Sequence, residues 1–204
     1  AIYNSNRFTL RALVEGLGCE VVDLGIVPDQ LEATRAALRE AASKADLILP
    51  SGGVSVGEED HLRPAVQAEG QLDLWALAIK PGKPFAYGRV GAAHFVGLPG
   101  NPVSSFVTFL VLVRPVLLKL QGATRLAPRG YRLVAGFDWP KPDKRREFLR
   151  VRLDEEGGLA LFSNQSSGVL TSAFWADGLL DNPPGQAFKA GDAVRFIPFA
   201  ELLS

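Results

Sequence analysis

The sequence predicts an α/β domain followed by a small β-rich domain, and two observations lead to this fold class. Up to about residue 120, short apolar runs alternate with stretches whose apolar residues recur every three or four positions, as strands and helices do in an α/β fold. After a Gly- and Pro-containing linker at residues 121–130, hydrophobicity follows a two-residue period with few helical signals. We therefore expect a three-layer αβα domain with a largely parallel sheet at residues 1–122 and a barrel-like domain at residues 123–204.

The first domain is expected to begin with an amphipathic helix. Asn4 or Ser5 can cap this helix, and Gly18 can close it in a left-handed conformation. Asp29 and Glu32 have the spacing of a capping box at the start of the next helix. Periodicity and turn residues predict further helices at 30–44, 61–68 and 102–120, and strands at 19–27, 47–49, 74–79, 85–90 and 93–96.

The second domain is expected to consist of short strands joined by tight turns. Its two-residue pattern predicts strands at residues 131–137, 147–153, 159–163, 178–180 and 193–197. Glu156-Gly157-Gly158 has the composition of a hairpin turn, and so does the segment 189–192. Strands of this length with few intervening helices are typical of small barrel-like domains.

Composition bounds the classes of partner. The 204 residues carry a formal net charge of zero, so we expect neither nucleic acid nor an anionic membrane as a partner. A single cysteine, Cys19, rules out an internal disulfide; this fits a reducing compartment, and we expect the cytoplasm. Methionine is absent even at position 1, which indicates a piece of a longer polypeptide.

The helix predicted at residues 102–120 is apolar almost all round. A membrane span is one interpretation, but Arg114, Pro115 and Lys119 interrupt the run before about 20 apolar residues accumulate. We therefore expect a buried core helix that can also contribute to a subunit contact, with a kink at Pro115.

The stretch Ser51–Asp60, Ser-Gly-Gly-Val-Ser-Val-Gly-Glu-Glu-Asp, follows a predicted strand and precedes a helix. Glycines at the carboxyl end of a strand let the backbone turn sharply, approach a ligand closely and present N–H groups to an anion. Gly52 and Gly57 have the outer spacing of a phosphate-binding P-loop, but Glu58 stands where that loop needs lysine. Three carboxylates beside such a backbone indicate a metal ion between phosphate and acid. A glycine turn that ends in a helix cap explains the same residues equally well.

Two further turns at predicted strand ends suit anions. Lys80 and Lys83 lie in a proline-framed turn where two ammonium groups can hold an oxyanion, although a solvated loop is the alternative. Gly97–Pro102 leads from a strand to a helix N-terminus, where the dipole favours negative charge, although a tight connection is the alternative. Ligands of open α/β sheets bind at the carboxyl ends of strands. Asp29, Asp60 and the two lysines all fall at such ends, so we expect them to form one site.

Other polar residues indicate no separate chemistry. His61 and His94 lack the sequence neighbours that a zinc site needs, and Ser51 and Ser55 lack a nearby base for nucleophilic catalysis. The run from Lys141 to Arg152 carries six cationic residues. A solvated hairpin face is the usual meaning of such a run, and a minor role in binding an acidic ligand is the alternative.

Three motifs, at Ser51–Asp60, Lys80–Pro84 and Gly97–Pro102, together resemble those of the molybdopterin molybdenumtransferases, a family that includes MoeA and the gephyrin E domain. The resemblance runs from Asn4 to Gly122 with specific motifs and continues more loosely through the β-rich domain. It covers the last two of the family's four domains. The resemblance implies that the first domain binds molybdopterin. It also implies insertion of molybdate into adenylylated molybdopterin, with release of AMP and a requirement for Mg²⁺.

The same resemblance implies roles for individual residues. Asp60, Lys80 and Lys83 form the catalytic set, in which the lysines hold phosphate or molybdate. Asp60 and Asp29 are the acidic residues suited to Mg²⁺. The implied cofactor-binding residues are Asp29, Gly52, Gly53, Ser55, Gly57, Pro99, Gly100, Asn101, Pro102 and Ser172.

Partners follow from the resemblance as well. It implies a homodimer with its site in a cleft between subunits, and an upstream molybdopterin adenylyltransferase that supplies the substrate. Two other functions stay open. A molybdopterin adenylyltransferase shares the α/β domain but does not need the chain after Gly130. A gephyrin-like scaffold uses the dimeric region to hold a receptor peptide.

Overall fold

The computed structural model describes residues 5–54 and 61–204, which form two compact units. The α/β unit comprises Ala1–Leu77 and Gly82–Asn101, and the β-rich unit comprises Ala78–Pro81 and Pro102–Ser204. The predicted order, an α/β part followed by a β-rich part, is confirmed. The domain limits 1–122 and 123–204 stay a prediction, while packing groups the stretch 102–120 with the β-rich unit.

Most predicted elements are present within a few residues of their expected bounds. The helices are α1 (Ser5–Gly16), α2 (Leu31–Lys44), α3 (Leu62–Glu69), α4 (Pro102–Thr108), α5 (Arg114–Leu120), α6 (Thr171–Trp175) and α7 (Phe199–Leu202). The strands are β1 (Leu47–Ile48), β2 (Gly70–Trp75), β3 (Ile79–Lys80), β4 (Ala86–Val90), β5 (Ala93–Gly97), β6 (Tyr131–Val134), β7 (Arg146–Leu153), β8 (Leu159–Leu161), β9 (Gly178–Asn182) and β10 (Ala193–Pro198).

The sheet of the α/β unit is mixed, whereas the sequence predicts a largely parallel one. Its strand order is β1-β5-β4-β2, in which β1 and β5 are parallel and the other two pairs are antiparallel. Gly91 and Ala92 join β4 to β5, and a connection this short permits only antiparallel pairing. The expectation of a largely parallel sheet is therefore wrong for the described strands, while the α/β class is confirmed.

The core of the α/β unit contains residues of this sheet and of helices α2 and α3. Buried residues from each element form one cluster: Leu38, Ile48, Val54, Leu62, Ala65, Val66, Ala86, Val90, Ala93 and Phe95. Burial of apolar surface stabilises such a cluster by roughly 25 cal/mol per Å². Val54 directly follows the first glycines of the Ser51–Asp60 motif, so the core anchors this end of the loop.

Two predicted strands differ from the structure. Residues 19–27 form no regular strand, and their apolar side chains include Ile26, which is 74% exposed. Valine-rich composition favours a strand only where a neighbouring strand supplies hydrogen bonds and packing, and none of the described strands pairs with this segment. The strand predicted at 74–79 begins earlier, at Gly70, and ends at Trp75, because Ala76 turns the chain with a φ of +91°.

The apolar stretch 102–120 is helical throughout but includes one wider turn. Phe109–Val113 is π-helical and lies between α4 and α5. Pro115 explains the wider turn, because it has no N–H to donate to Val111 and its ring would clash with that carbonyl in a regular α-helix. Among the described residues, this stretch is long and apolar enough to cross a membrane by length and composition alone, but 56% of it is buried in the fold. The buried share fits the predicted core helix.

The β-rich unit closes on itself, as a barrel-like domain should. The strand order is β3-β7-β9-β10-β6, and β8 also pairs with β7. Just beyond β6, Ala135 bridges Leu159 of β8, so the path through β10, β9, β7 and β8 returns to its start. Alternate residues fill the interior with Ala135, Leu149, Val151, Leu159, Leu180, Phe188, Val194 and Phe196. The residues between them point away from this core, in a fixed cross-strand register.

Candidate functional site

Two glycine loops meet at the carboxyl ends of the parallel strands β1 and β5. The bridge between Ser51 and Leu98 continues the parallel pairing beyond both strands. The Gly52 N–H donates to the Leu98 carbonyl at 2.9 Å, and the Leu98 N–H donates to the Pro50 carbonyl at 2.9 Å. The described part of the first loop therefore lies directly beside the second loop, where ligands of open α/β sheets bind.

Asn6 of α1 holds the two loops together. This residue is 7% exposed, and its Nδ2 donates to Ser51 Oγ at 3.0 Å and to the Gly100 carbonyl at 2.8 Å. One side-chain amide thus fixes the separation of the loops. In the sequence, the signal for this role is a single polar residue in the first turn of an amphipathic helix.

Gly52 and Gly53 give the first loop its shape. Their φ angles are +87° and +70°, a region that residues with a Cβ rarely adopt. A Cβ at Gly52 would meet none of the described residues within 4 Å. The loop therefore presents backbone rather than side chain to a ligand.

Gly97 is constrained by packing rather than by its φ angle. A Cβ there would lie 2.5 Å from Val54 Cγ1 and 3.2 Å from Ala86 Cβ, and both neighbours belong to the buried core.

We expect Gly97→Ala to lower the free energy of unfolding by about 1–3 kcal/mol, as measured by urea denaturation. Gly168→Ala is the matched control, since a Cβ at Gly168 meets nothing within 4 Å. An equal loss in the two variants would contradict the packing explanation.

Several predicted residues are not near these loops or cannot be placed. Ser55, Gly57 and Asp60 lie outside the described residues, so their roles stay predictions. Asp29 is exposed and precedes α2, whose N-cap is Gln30 without a side-chain capping hydrogen bond. The capping-box interpretation of Asp29 is therefore wrong, and its role as a metal ligand stays a prediction.

The second loop carries its predicted residues as a continuous turn. Pro99 is buried, whereas Gly100 and Asn101 are exposed beyond β5. Pro102 is the first residue of α4, as its fixed φ and missing N–H lead one to expect. Their roles in binding a ligand stay predictions.

Metal-ligating side chains form no complete centre in the part of the chain that the structure describes. Over residues 5–54 and 61–204, no three His, Cys, Asp or Glu side chains lie close enough to hold a metal ion. Mg²⁺ usually keeps several waters and takes one or two carboxylates together with substrate phosphates. The predicted pair, Asp29 and Asp60, fits that donor set in its chemistry.

Lys80 and Lys83 belong to different units. Lys83 is exposed in the α/β unit, where its carbonyl accepts a hydrogen bond from the Leu77 N–H at 3.0 Å. Lys80 lies in β3 of the β-rich unit, and its Nζ is 3.5 Å from both Asp143 Oδ2 and Glu147 Oε1. The Lys80 side chain is still 45% exposed, so its ammonium group can also bind a ligand. That both ammonium groups hold one oxyanion stays a prediction.

Asp143, the first carboxylate beside Lys80, is itself fixed. Arg145 donates to it from Nε at 2.9 Å and from Nη2 at 2.7 Å. These hydrogen bonds hold the pKa of the Asp143 carboxyl well below its usual value. Asp143 therefore presents a permanent negative charge to Lys80.

Glu147, the second carboxylate beside Lys80, is fully buried inside the β-rich unit. It accepts hydrogen bonds from Trp139 Nε1 at 2.8 Å and from Asn182 Nδ2 at 3.3 Å. These two donors fix the carboxylate, whose Oε1 lies 3.5 Å from Lys80 Nζ. In the sequence, Glu147 is one member of the charged run from Lys141 to Arg152, and nothing there marks it as buried.

Ser172 lies beside a buried arginine that sequence analysis does not single out. Ser172 Oγ donates to the Val169 carbonyl at 2.7 Å and accepts from Arg150 Nε at 3.2 Å. Arg150 is 1% exposed; its Nη1 donates to the Phe148 carbonyl, and its Nη2 has no partner among the described residues. Burial lowers the pKa of Arg150 to about 10, so it still carries its charge at neutral pH. A buried cation with a spare donor is suited to an oxyanion ligand.

Known families match both parts of the chain. Residues 1–119 match a family described as "Probable molybdopterin binding domain". The chain belongs to the molybdopterin-binding domain family. Residues 132–199, which include most of the barrel, match the "MoeA C-terminal region (domain IV)". The resemblance drawn from the three motifs is thereby confirmed.

Individual relatives agree with this family. The chain is 42% identical to a molybdopterin molybdenumtransferase from Haemophilus influenzae, covering 99% of this chain and 52% of the relative. It is 32% identical to a molybdopterin molybdenumtransferase from Nostoc, covering 92% of this chain and 45% of the relative. The chain spans about half the length of the curated relatives it matches.

Solved structures support the same fold. A molybdenum cofactor biosynthesis protein from Pyrococcus furiosus has a TM-score of 0.78 at 28% identity, covering 96% of this chain and 64% of that protein. A molybdopterin biosynthesis MoeA protein from Pyrococcus horikoshii has a TM-score of 0.78 at 29% identity, covering 97% of this chain and 48% of that protein.

Proposed function

We propose that the chain is the pterin-binding and C-terminal part of a molybdopterin molybdenumtransferase. In this reaction molybdate is inserted into the dithiolene of adenylylated molybdopterin, and AMP is released. The observation that carries the proposal is the pair of glycine loops that Asn6 holds together at the ends of β1 and β5. Such loops present backbone N–H groups to a phosphate. The names of the Haemophilus and Nostoc relatives support the same reaction.

The residues of this chain supply positioning and charge rather than a nucleophile. Transfer at phosphorus depends mainly on orientation and electrostatic stabilisation by the protein. In the proposal, the backbone N–H of Gly53 orients the adenylyl phosphate, while the Gly52 N–H, which donates to the Leu98 carbonyl, fixes the loop. Lys80 and Lys83 offset the negative charge of phosphate or molybdate, and Ser172 is the proposed polar contact for the cofactor.

Mg²⁺ belongs to the same proposal, with Asp29 and Asp60 as its carboxylate ligands. When bound, the ion would offset the charge that phosphate oxygens develop. Two aspartates and substrate oxygens match the hard oxygen donors that Mg²⁺ prefers.

The assembly and cellular setting are proposed on the family resemblance. They comprise a homodimer with its site between subunits, an upstream molybdopterin adenylyltransferase that supplies the substrate, and the cytoplasm as the compartment. The single cysteine of the chain fits a reducing compartment.

Ligand-dependent thermal stability tests the proposal against its alternatives. AMP with Mg²⁺ is expected to raise the melting temperature of the chain, because a ligand that binds only the folded state stabilises it by mass action. A scaffold would instead be stabilised by an apolar peptide and not by AMP, and that result would overturn the proposal. The match of residues 132–199 to the MoeA C-terminal region already disfavours an adenylyltransferase.

Asn6→Asp tests whether the paired loops form the binding site. The carboxylate cannot donate to Ser51 Oγ or to the Gly100 carbonyl, so two hydrogen bonds of roughly 1 kcal/mol each are lost. We expect AMP affinity, measured by calorimetry, to fall about tenfold or more. Arg11→Gln on the same helix is the control, because Arg11 makes an exposed ion pair with Glu15. Equal AMP affinity in the two variants would count against the site.

A further inference from the structure

The outer face of the barrel carries three arginines that the proposed reaction does not use. Arg132 of β6, Arg146 of β7 and Arg195 of β10 line one cavity of about 200 Å³ together with Asp181 of β9. All four residues belong to the β-rich unit, so the cavity is formed within that unit alone. We refer to these four residues as the arginine face.

Strand register places two of these arginines directly opposite each other. Arg132 pairs with Arg195 across β6 and β10, and Arg195 pairs with Asp181 across β10 and β9. Like charges at directly opposite positions destabilise an antiparallel strand pair. The pairing of Arg132 with Arg195 therefore does not stabilise the barrel. An anion bound between the two guanidinium groups would remove their repulsion.

Each guanidinium group has a defined orientation. Arg146 donates from Nε and Nη2 to the two carboxylate oxygens of Asp181, at 2.6 and 2.7 Å. Arg195 Nη1 lies 3.4 Å from the same carboxylate. Arg195 also lies across Gly130, where a Cβ would come within 2.5 Å of its Nε. Arg132 Nη2 donates to a carbonyl of β10 at 3.4 Å.

The arginine face retains capacity for a ligand. The side chains of Arg146 and Arg195 are 47% and 49% exposed, whereas Asp181 is only 3% exposed. Asp181 therefore orients the arginines from below and does not meet a ligand from solvent. Three guanidinium groups and one carboxylate leave two positive charges uncompensated in the lining of this cavity.

We propose that the arginine face binds a tetrahedral oxyanion of the phosphate type, at a site separate from the glycine loops. The planar guanidinium group can donate two parallel hydrogen bonds to two oxygens of such an anion. Charge-assisted hydrogen bonds of this kind are stronger than those between neutral groups. A doubly charged anion would neutralise the two positive charges that Asp181 does not compensate. Because the cavity has a volume of only about 200 Å³, it suits an inorganic anion or a single phosphate group.

Titration of the wild-type 204-residue chain with inorganic phosphate tests this proposal. Phosphate is added at constant ionic strength, with chloride as the reference salt, and the Nε–Hε resonances of the arginines are followed by NMR. Binding is expected to shift the Arg132 and Arg195 resonances, and Arg132→Gln or Arg195→Gln should raise the phosphate Kd about tenfold or more. Arg152→Gln is the matched control, because the Arg152 guanidinium lies 4.5 Å from the ring centroid of Trp175 and outside the cavity. Asn6→Asp should leave these shifts unchanged, which separates the two sites.

Melting temperatures measured with and without phosphate distinguish a loss of phosphate binding from a loss of stability in a variant. Without phosphate, Arg132→Gln should raise the melting temperature, because it removes the like-charge pair with Arg195. With phosphate, the wild-type chain and Arg152→Gln should gain further stability from this site, whereas Arg132→Gln and Arg195→Gln should not. The proposal is overturned if phosphate leaves the arginine resonances of the wild-type chain unmoved, or if all variants bind it equally.

Discussion

Replacing Glu147 by leucine is expected to lower the free energy of unfolding by about 3–5 kcal/mol. Glu147 is fully buried, and Trp139 Nε1 and Asn182 Nδ2 both donate to its carboxylate. Leucine has a similar size but accepts no hydrogen bond, so two buried donors would lose a partner at a cost of about 1–3 kcal/mol each. Lys80 would also lose one of its two carboxylate neighbours.

Urea denaturation of three variants measures this effect. Glu147→Gln keeps an amide oxygen for one donor, so its loss of stability should be smaller than that of Glu147→Leu. Glu155→Leu, in the exposed turn between β7 and β8, should change the free energy of unfolding by no more than about 0.5 kcal/mol. If Glu147→Leu behaves like Glu155→Leu, the buried carboxylate does not stabilise the barrel.

Replacing Arg150 by methionine is expected to have the opposite sign and to raise the free energy of unfolding by about 1–3 kcal/mol. Arg150 is 1% exposed and its Nη2 has no partner among the described residues, so its charge is poorly compensated. Burial lowers the pKa of Arg150 to about 10, so the buried charge destabilises the folded state at neutral pH. Methionine avoids this cost but forfeits the hydrogen bonds to Ser172 Oγ and the Phe148 carbonyl.

The stability gain expected for Arg150→Met depends on pH. The folded state holds the proton of Arg150 less tightly than the unfolded state, so the cost is fully present below about pH 10 and falls as the pH rises above that value. The stability advantage of Arg150→Met should therefore be constant up to about pH 10 and smaller at about pH 11. Arg152→Met is the control, since the exposed Arg152 should show neither the gain nor its pH dependence.

Arg150→Met is expected to lower activity while it raises the free energy of unfolding. If Arg150 is retained to bind an oxyanion beside Ser172, Arg150→Met should reduce molybdenum insertion by the full-length protein while its fold becomes more stable. A stabilised variant with unchanged turnover would show that Arg150 has no part in the reaction. Loss of both stability and turnover would show that Arg150 is needed for the fold.

Residue patterns predict the glycine loops well because their chemistry is local. Gly52 and Gly53 adopt the positive φ angles that a sharp turn after a strand requires. Pro102 begins a helix, as its fixed φ favours. Each of these outcomes depends on a residue and its immediate neighbours, and periodicity predicts most of the helices and strands for the same reason.

Residue patterns fail where a contact joins distant parts of the chain. Asn6 reaches Ser51 and Gly100, which lie 45 and 94 positions away in sequence. Residues 19–27 have the composition of a strand but pair with none of the described strands. Composition cannot supply the partner that a strand or a buried amide requires, since the partner comes from elsewhere in the fold.

The sequence by itself determines the two-part α/β and β-rich organisation, the two glycine loops and the family, because turn chemistry, hydrophobic period and motif spacing are properties of short segments. Only the tertiary structure decides that the sheet is mixed, that Asn6 joins the loops, that Glu147 lies beside Lys80 and that the arginine face exists. Those features depend on which strands become neighbours and in what register, and register is fixed only when the whole core packs.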